Sequence, residues 1–140
     1  HHDHIDTFTY REMLINGFPE VAIDTGPFGT QVLRGMRFAV QAMASQGLNL
    51  IVDDVLMGSE DPGNAEYQDL LSPFHYFKVG VFASLETLEE RERRRGDRRP
   101  GLARWQFERV HSGMTYDLEL HTDGSSPSEL AAKIQHAFDL

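Results

Sequence analysis

Apolar and polar positions divide the chain into short segments of differing period. Between residues 28 and 44 the apolar side chains fall at Phe28, Val32, Leu33, Met36, Ala39, Val40, Met43 and Ala44. Spacings of three and four predict one helix with a buried face. Gly47 stands where that helix stops, because glycine accepts the left-handed turn that closes a helix. Leu48-Asn49-Leu50-Ile51-Val52 follows, short and mostly apolar, and ends in Asp53-Asp54. A run of this kind predicts a parallel strand covered on both faces. Residues 58–63 read as a loop and 64–71 as a short helix, and 76–82 as the next strand. Ser84 caps a helix that passes through Leu85 and Leu88 into a run of arginines. Gly96, Pro100 and Gly101 interrupt that run, and 102–110 resumes as helix. Residues 116–120 form a third strand. Ser126-Pro127-Ser128-Glu129 is a capping box with proline at the first helical position, and Leu130, Ile134 and Phe138 stripe the last helix.

The order helix, strand, helix, strand, helix, helix, strand, helix predicts an α/β layer fold with a parallel sheet and right-handed crossovers. With 140 residues and no repeat or low-complexity linker, the chain reads as one domain over residues 1–140. The opening His1-His2-Asp3-His4 has the composition of a tag and is not read for fold. Asp6, near the N-terminus, reads locally as a cap for the segment 9–14.

Charge changes this picture. The chain has 22 acidic and 13 basic residues and a net charge of −9. Seven of the arginines (91, 93, 94, 95, 98, 99 and 104) stand between positions 91 and 104 beside only Glu92 and Asp97. The segment is strongly cationic and the rest of the chain strongly acidic. Pairing with Glu86, Glu89, Glu90 and Glu92 along one helix accounts for Arg93 and Arg94. It does not account for Arg95-Gly96-Asp97-Arg98, since glycine breaks the helix such pairing needs. Arginine's planar fork suits phosphate, and a broken arginine segment suits a mobile lid. The acidic remainder and the lack of interleaved aromatics argue against nucleic acid as the partner.

The absence of cysteine excludes disulfides and thiolate metal sites. His75, His111, His121 and His136 are too scattered to suggest a zinc cluster. No apolar run approaches the ~20 residues that span a bilayer, and no leader pattern is visible, so the expectation is a cytoplasmic protein with no membrane partner. Asp53 and Asp54 close an apolar strand, the place where parallel α/β sheets collect ligands. Paired carboxylates there suit Mg²⁺, which prefers oxygen ligands. The other reading is one capping aspartate and one exposed one. Tyr10, Trp105 and Phe107 fit a core or a substrate wall equally.

The stretch Gly47-Leu-Asn-Leu-Ile-Val-Asp-Asp-Val-Leu-Met-Gly58 resembles the Asp-Asp strand end of the chloramphenicol phosphotransferase-like proteins, which are small P-loop kinases. The resemblance continues through Val79-Gly80-Val81, Glu90-Arg91-Glu92, Arg95-Gly96-Asp97-Arg98, Gly101-Leu102-Ala103, Gln106, Val110-His111-Ser112-Gly113 and Tyr116-Asp117-Leu118-Glu119-Leu120. It implies a three-layer P-loop kinase-like parallel sheet with helices on both faces. It also implies transfer of the γ-phosphate of ATP, with Mg²⁺, to a hydroxyl of a small molecule such as a chloramphenicol-like antibiotic or a related metabolite. Asp6, in Ile5-Asp6-Thr7, matches the catalytic base, with Asp3 the poorer match. Residues 89–101 correspond to the lid, in which Arg91, Arg95 and Arg98 are the nucleotide contacts and Arg95 and Arg98 act on the transferring phosphate. Asp53 and Asp54 are the metal candidates, and Asp54, Phe8 and Tyr10 the substrate-side candidates. A homo-oligomer is left open.

The family opens with a strand and the loop Gly-x-x-x-x-Gly-Lys-[Ser/Thr], which cradles phosphates. No such motif occurs in these 140 residues; Gly26-Pro27-Phe28-Gly29-Thr30 is the nearest glycine-rich stretch and lacks the lysine. The expectation is therefore a domain without its first strand and phosphate loop. The alternatives are a non-catalytic binding module with a kinase-like fold and an anion binder acting through the arginines.

Overall fold

A computed structural model describes residues 8–140 and shows mixed α/β architecture. Strands β1 (Phe8–Ile15) and β2 (Phe18–Thr25) come first. Helices α1 (Pro27–Ser45) and α2 (Pro62–Leu71), strand β3 (Val79–Phe82), helices α3 (Leu85–Arg95) and α4 (Leu102–Phe107), strand β4 (Leu118–His121) and helix α5 (Pro127–Phe138) follow.

The β1–β2 hairpin replaces the capped segment expected after Asp6. Its two strands pair antiparallel from Phe8↔Thr25 to Ile15↔Phe18. Asn16 and Gly17, both at positive φ (51° and 80°), make the turn. Asn-Gly is the pair that a two-residue hairpin turn favours, because both positions must adopt left-handed backbone. Across the pair, Arg11 Nε lies 3.0 Å from Asp24 Oδ2, and this hydrogen bond holds the Asp24 carboxyl below the ordinary aspartate range.

The helices follow their sequence signals more closely. Pro27 opens α1, and Gly47, just past its end, has φ 78°. In α3 the Ser84 side chain accepts from the Thr87 N–H, and Gly96 closes the helix in left-handed backbone. In α5 the Ser126–Glu129 capping box is complete. The expected helix 102–110 is shorter, ending at Phe107.

The sheet departs most from expectation. The described strands form two separate two-stranded ladders, β1 with β2 and β3 with β4, not one continuous sheet. The β3–β4 pair is parallel, with Val79↔Leu118 and Phe82↔His121 in register. Residues 48–52 carry no strand assignment, and Ile51 is fully exposed while Leu48 and Val52 are exposed. Strand propensity measures fit to a pleated neighbour, and no described strand lies alongside this run. The same reason explains α1. Phe28, Val32 and Met43, expected on its buried face, are exposed, while Gly29, Arg37 and Val40 are buried.

Among the described residues the buried apolar ones are Val21, Ala22, Val40, Leu102 and Leu120. Val21, Ala22 and Leu102 mark the packing of α4 against β2. Gly101 makes that packing possible. Its backbone φ is 100°, and a Cβ there would meet the Pro19 carbonyl oxygen at 2.8 Å and Glu20 Cα at 3.1 Å. No described helix is long and apolar enough to cross a membrane. Gly101→Ala should destabilise the protein by on the order of 2 kcal/mol, from left-handed strain plus the clash. Urea unfolding of the two forms measures it, and an unchanged midpoint would refute this account of the β2–α4 contact.

Candidate functional site

The acidic corner lies between residues 48–52 and α2. Asp53 is exposed. Asp54 is half-buried: its Oδ1 accepts from the Val55 N–H at 2.8 Å, while its Oδ2 is buried with no hydrogen-bond partner among the described residues. The segment that follows is tied to α2 by Asp61. One oxygen of Asp61 caps the helix at the Gly63 N–H, and the other accepts from the Met57 N–H, both at 2.8 Å.

Helix α1 braces the corner from behind. Arg34 Nε and Arg37 Nη1 donate to the two oxygens of Glu66 at 2.8 and 2.9 Å. The hydrogen bond from Arg37 and then that from Arg34 hold the Glu66 carboxyl below the ordinary glutamate value of 4.5. Arg37 reaches this position only because residue 63 is glycine; a Cβ there would collide with the guanidinium. The Arg37 guanidinium carbon lies 5.6 Å from the centre of the Tyr67 ring. Burial first, and then the charge of Asp54, push the Tyr67 hydroxyl up to about 12.

The arginine run divides into parts with different surroundings. Arg91 donates to Thr122 Oγ1 at 2.9 Å, Arg93 pairs with Glu90, and Arg104 pairs with Glu89 at 2.6 Å above the Phe18 ring. Arg91 is tied to the end of β4 and Arg104 to α3, whereas the exposed Arg93 pairs only within its own helix. Beyond the end of α3, residues 96–101 leave the helix, so only the second half of the expected lid is irregular. There Arg95 pairs with Asp97 at 3.0 Å, which holds the Asp97 carboxyl low. Arg99 pairs with Glu12 at 3.1 Å and lies 5.2 Å above the Tyr10 ring. Among the described residues no ion pair engages Arg94 or Arg98.

One buried carboxylate anchors this segment. Glu92 Oε2 accepts from the Gly101 N–H at 2.8 Å and Oε1 from the Ala103 N–H at 2.7 Å. The Gly101 carbonyl in turn accepts from the Val21 N–H of β2 at 3.2 Å. Glu92 therefore closes the segment at its base and caps the short α4, with Arg95 and Arg98 in the stretch between.

The remaining candidates are dispersed. Asp6, with Asp3, lies outside the described residues. Phe8 and Tyr10 are exposed on β1, and Tyr10 faces Arg99. Among the described residues no three His, Asp or Glu side chains group as a metal cage. His111 Nδ1 lies 2.6 Å from the Tyr116 hydroxyl, with Phe82 stacked on the imidazole at 3.9 Å. Burial is the main cause that raises the Tyr116 hydroxyl. Sequence reasoning passed over Arg37, Tyr67 and the role of Glu92. A signal for Arg37 was present: an arginine between Leu33 and Val40 on an apolar stripe needs a partner on a facing element.

The match to known proteins runs the length of this arrangement. The family model described as chloramphenicol phosphotransferase-like protein matches residues 9–139. Two Mycobacterium tuberculosis proteins, from strains CDC 1551 / Oshkosh and ATCC 25618 / H37Rv, carry the provisional name of O-phosphotransferase. Each is 30% identical over 126 residues, covering 88% of this chain and 54% of the relative. The chain belongs to the chloramphenicol phosphotransferase-like family, as its sequence blocks implied. It spans about half the length of these relatives.

Two outcomes follow from the geometry. Glu92→Gln keeps one acceptor for two N–H groups and should cost about 1–3 kcal/mol, with faster proteolysis within residues 96–101; equal cleavage rates would remove Glu92 as the anchor. The contribution of Glu66, whose carboxyl is held low, is complete above its ordinary value of 4.5 and is lost as pH falls through the lower folded value. Urea midpoints measured against pH should show an acid decline that Glu66→Gln flattens.

Proposed function

We propose that the protein is an ATP-dependent phosphotransferase that moves a γ-phosphate onto a hydroxyl of a small molecule, with chloramphenicol-like antibiotics and related metabolites as the candidate acceptors. The observation that carries this reading is the family match from residue 9 to 139, which takes in the acidic corner and the arginine segment together. In the working enzyme, residues 48–52 pair as a strand of a continuous parallel sheet covered by helices on both faces. Their apolar, strand-length composition supports this.

The donor set fits Mg²⁺ at one carboxylate. Mg²⁺ takes one or two carboxylates and keeps several waters, so it needs no cage. Asp53, exposed at the corner, has the freedom to hold it; Asp54, turned inward, is the substrate-side carboxylate. The residues present fit the metal and lid sides of a nucleotide site, and they contain no loop that cradles phosphates. ATP, when bound, supplies the phosphoryl group and its leaving group.

Phosphoryl transfer depends on positioning and charge neutralisation. Arg98, without an ion pair among the described residues, and Arg95, which must exchange Asp97 for phosphate, are the cations that neutralise the transferring group. Arg91, held by Thr122, sets the start of the lid and contributes positive charge to the nucleotide side. Asp6 takes the proton from the acceptor hydroxyl, and Phe8 and Tyr10 form an apolar wall for the acceptor. On this reading the partner is a hydroxylated small molecule, not nucleic acid or membrane, in the cytoplasm, with a homo-oligomer compatible. A non-catalytic binding module of kinase-like fold is the second reading.

Transfer of labelled γ-phosphate from ATP, measured in the full reading frame with chloramphenicol as acceptor and a panel of hydroxylated compounds beside it, decides between the two. Asp6→Asn and Asp53→Asn should each lower turnover by on the order of 100-fold or more with the fold intact, and Arg98→Ala by a similar factor. No transfer to any acceptor by the wild type would favour the binding module. Full turnover in Asp6→Asn would remove that residue as the base.

A further inference from the structure

Three buried polar atoms lie together between α1, α2 and the acidic corner with no hydrogen-bond partner among the described residues: Arg37 Nε, Asp54 Oδ2 and Tyr67 Oη. The Arg37 side chain is only 9% exposed. The neighbourhood of the three is fixed from two directions. The Arg37 guanidinium carbon stands 5.6 Å from the Tyr67 ring centre, and both the Asp54 carboxylate and the Arg37 guanidinium lie close enough to the Tyr67 hydroxyl to act on it, without a hydrogen bond of normal geometry joining the three. None of the three can easily turn away. Arg37 is bound to Glu66 through Nη1 and packed on Gly63, Asp54 spends its other oxygen on the Val55 N–H, and Tyr67 is one residue from Glu66 on the same helix.

Buried polar groups in native proteins are almost always partnered, so an unpartnered group calls for a specific explanation. The chemistry of the three atoms restricts what could complete them. Arg37 Nε only donates, Asp54 Oδ2 as a carboxylate oxygen only accepts, and a tyrosine hydroxyl does either. A single group serving all three must accept from the arginine and donate to the aspartate. A carbonyl oxygen has nothing to donate. An ammonium has nothing with which to accept. A fully ionised phosphate oxygen cannot donate and meets the charge of Asp54. A hydroxyl does both.

We propose that Arg37, Asp54 and Tyr67 form a subsite for one hydroxyl group, carried by a solvent water or by an organic alcohol. The atoms are buried, so the subsite takes one oxygen, with any carbon skeleton outside it. Where the hydroxyl belongs to an acceptor, the inference rests on the phosphotransferase reading, and Arg37 and Tyr67 become specificity residues beside Asp54. Where it is water, the two are positioning residues that keep Asp54 turned inward and leave Asp53 as the solvent-facing carboxylate.

The test is a crystal structure of the full chain at a resolution that orders water, determined alone and with chloramphenicol as the hydroxylated probe. An oxygen within hydrogen-bonding distance of all three atoms is expected. A water in both crystals assigns the subsite to solvent, and replacement by a probe hydroxyl assigns it to the acceptor. A direct Tyr67–Asp54 or Arg37–Asp54 hydrogen bond with no such oxygen overturns the proposal. In solution, Tyr67→Phe should raise KM for the probe about tenfold with kcat little changed in the acceptor case, and leave KM unchanged in the solvent case. Loss of transfer as the protein's activity would be seen in the wild type itself and would leave the crystallographic result standing, so the two readings fail separately.

Discussion

The buried Glu92 carboxylate ties the last turn of α3 to the start of α4. It leaves α3, receives the N–H groups of Gly101 and Ala103, and so fixes where the chain returns after the arginine segment. Because the Gly101 carbonyl also takes the Val21 N–H, the same contact sets α4 on the β1–β2 hairpin. A buried carboxylate is tolerated only when its oxygens are paired, and two backbone amides of a short helix start satisfy that requirement. Remove this contact and the loop, α4 and the hairpin lose their common reference point.

That anchoring also sorts the arginines. Seven of them in fourteen residues would repel one another on a uniform helix. Here Arg91 and Arg104 find partners on neighbouring elements, Arg93 pairs within α3, Arg95 ends the helix, and Arg98 and Arg99 follow beyond Gly96. Arg99 reaches Glu12 and the Tyr10 ring, which links the segment to the hairpin. Ion pairs as exposed as this one contribute little to stability and break readily. The acidic corner is built on the opposite principle. Arg34 and Arg37 are braced by Glu66, Asp61 ties the chain to the start of α2, and Asp54 is turned inward, while Asp53 stays exposed.

Much of the helical structure was legible locally. The caps at Ser84 and Ser126, the stop at Gly47 and the break at Gly96 depend on the backbone preferences of single residues and their immediate neighbours. The hairpin has a local signal as well, Asn16-Gly17 at its turn, although Asp6 by itself reads only as a cap for the segment 9–14. Residues 48–52 show the limit of such reading. Their composition suits a strand, yet a strand is defined by a neighbour at hydrogen-bonding distance, and composition does not supply one.

The candidate site divides along the same line. The amino-acid sequence by itself determined the family, the Asp53-Asp54 pair and the broken arginine run, because these are matters of residue identity and spacing along one chain. Only the tertiary structure decided that Asp54 turns inward while Asp53 faces solvent, and that Arg37 and Tyr67 stand beside it. It also decided which arginines are already paired. Those outcomes depend on which side chains meet across elements up to 87 residues apart, as Arg99 and Glu12 do, and on whether a glycine such as Gly63 leaves room for the meeting.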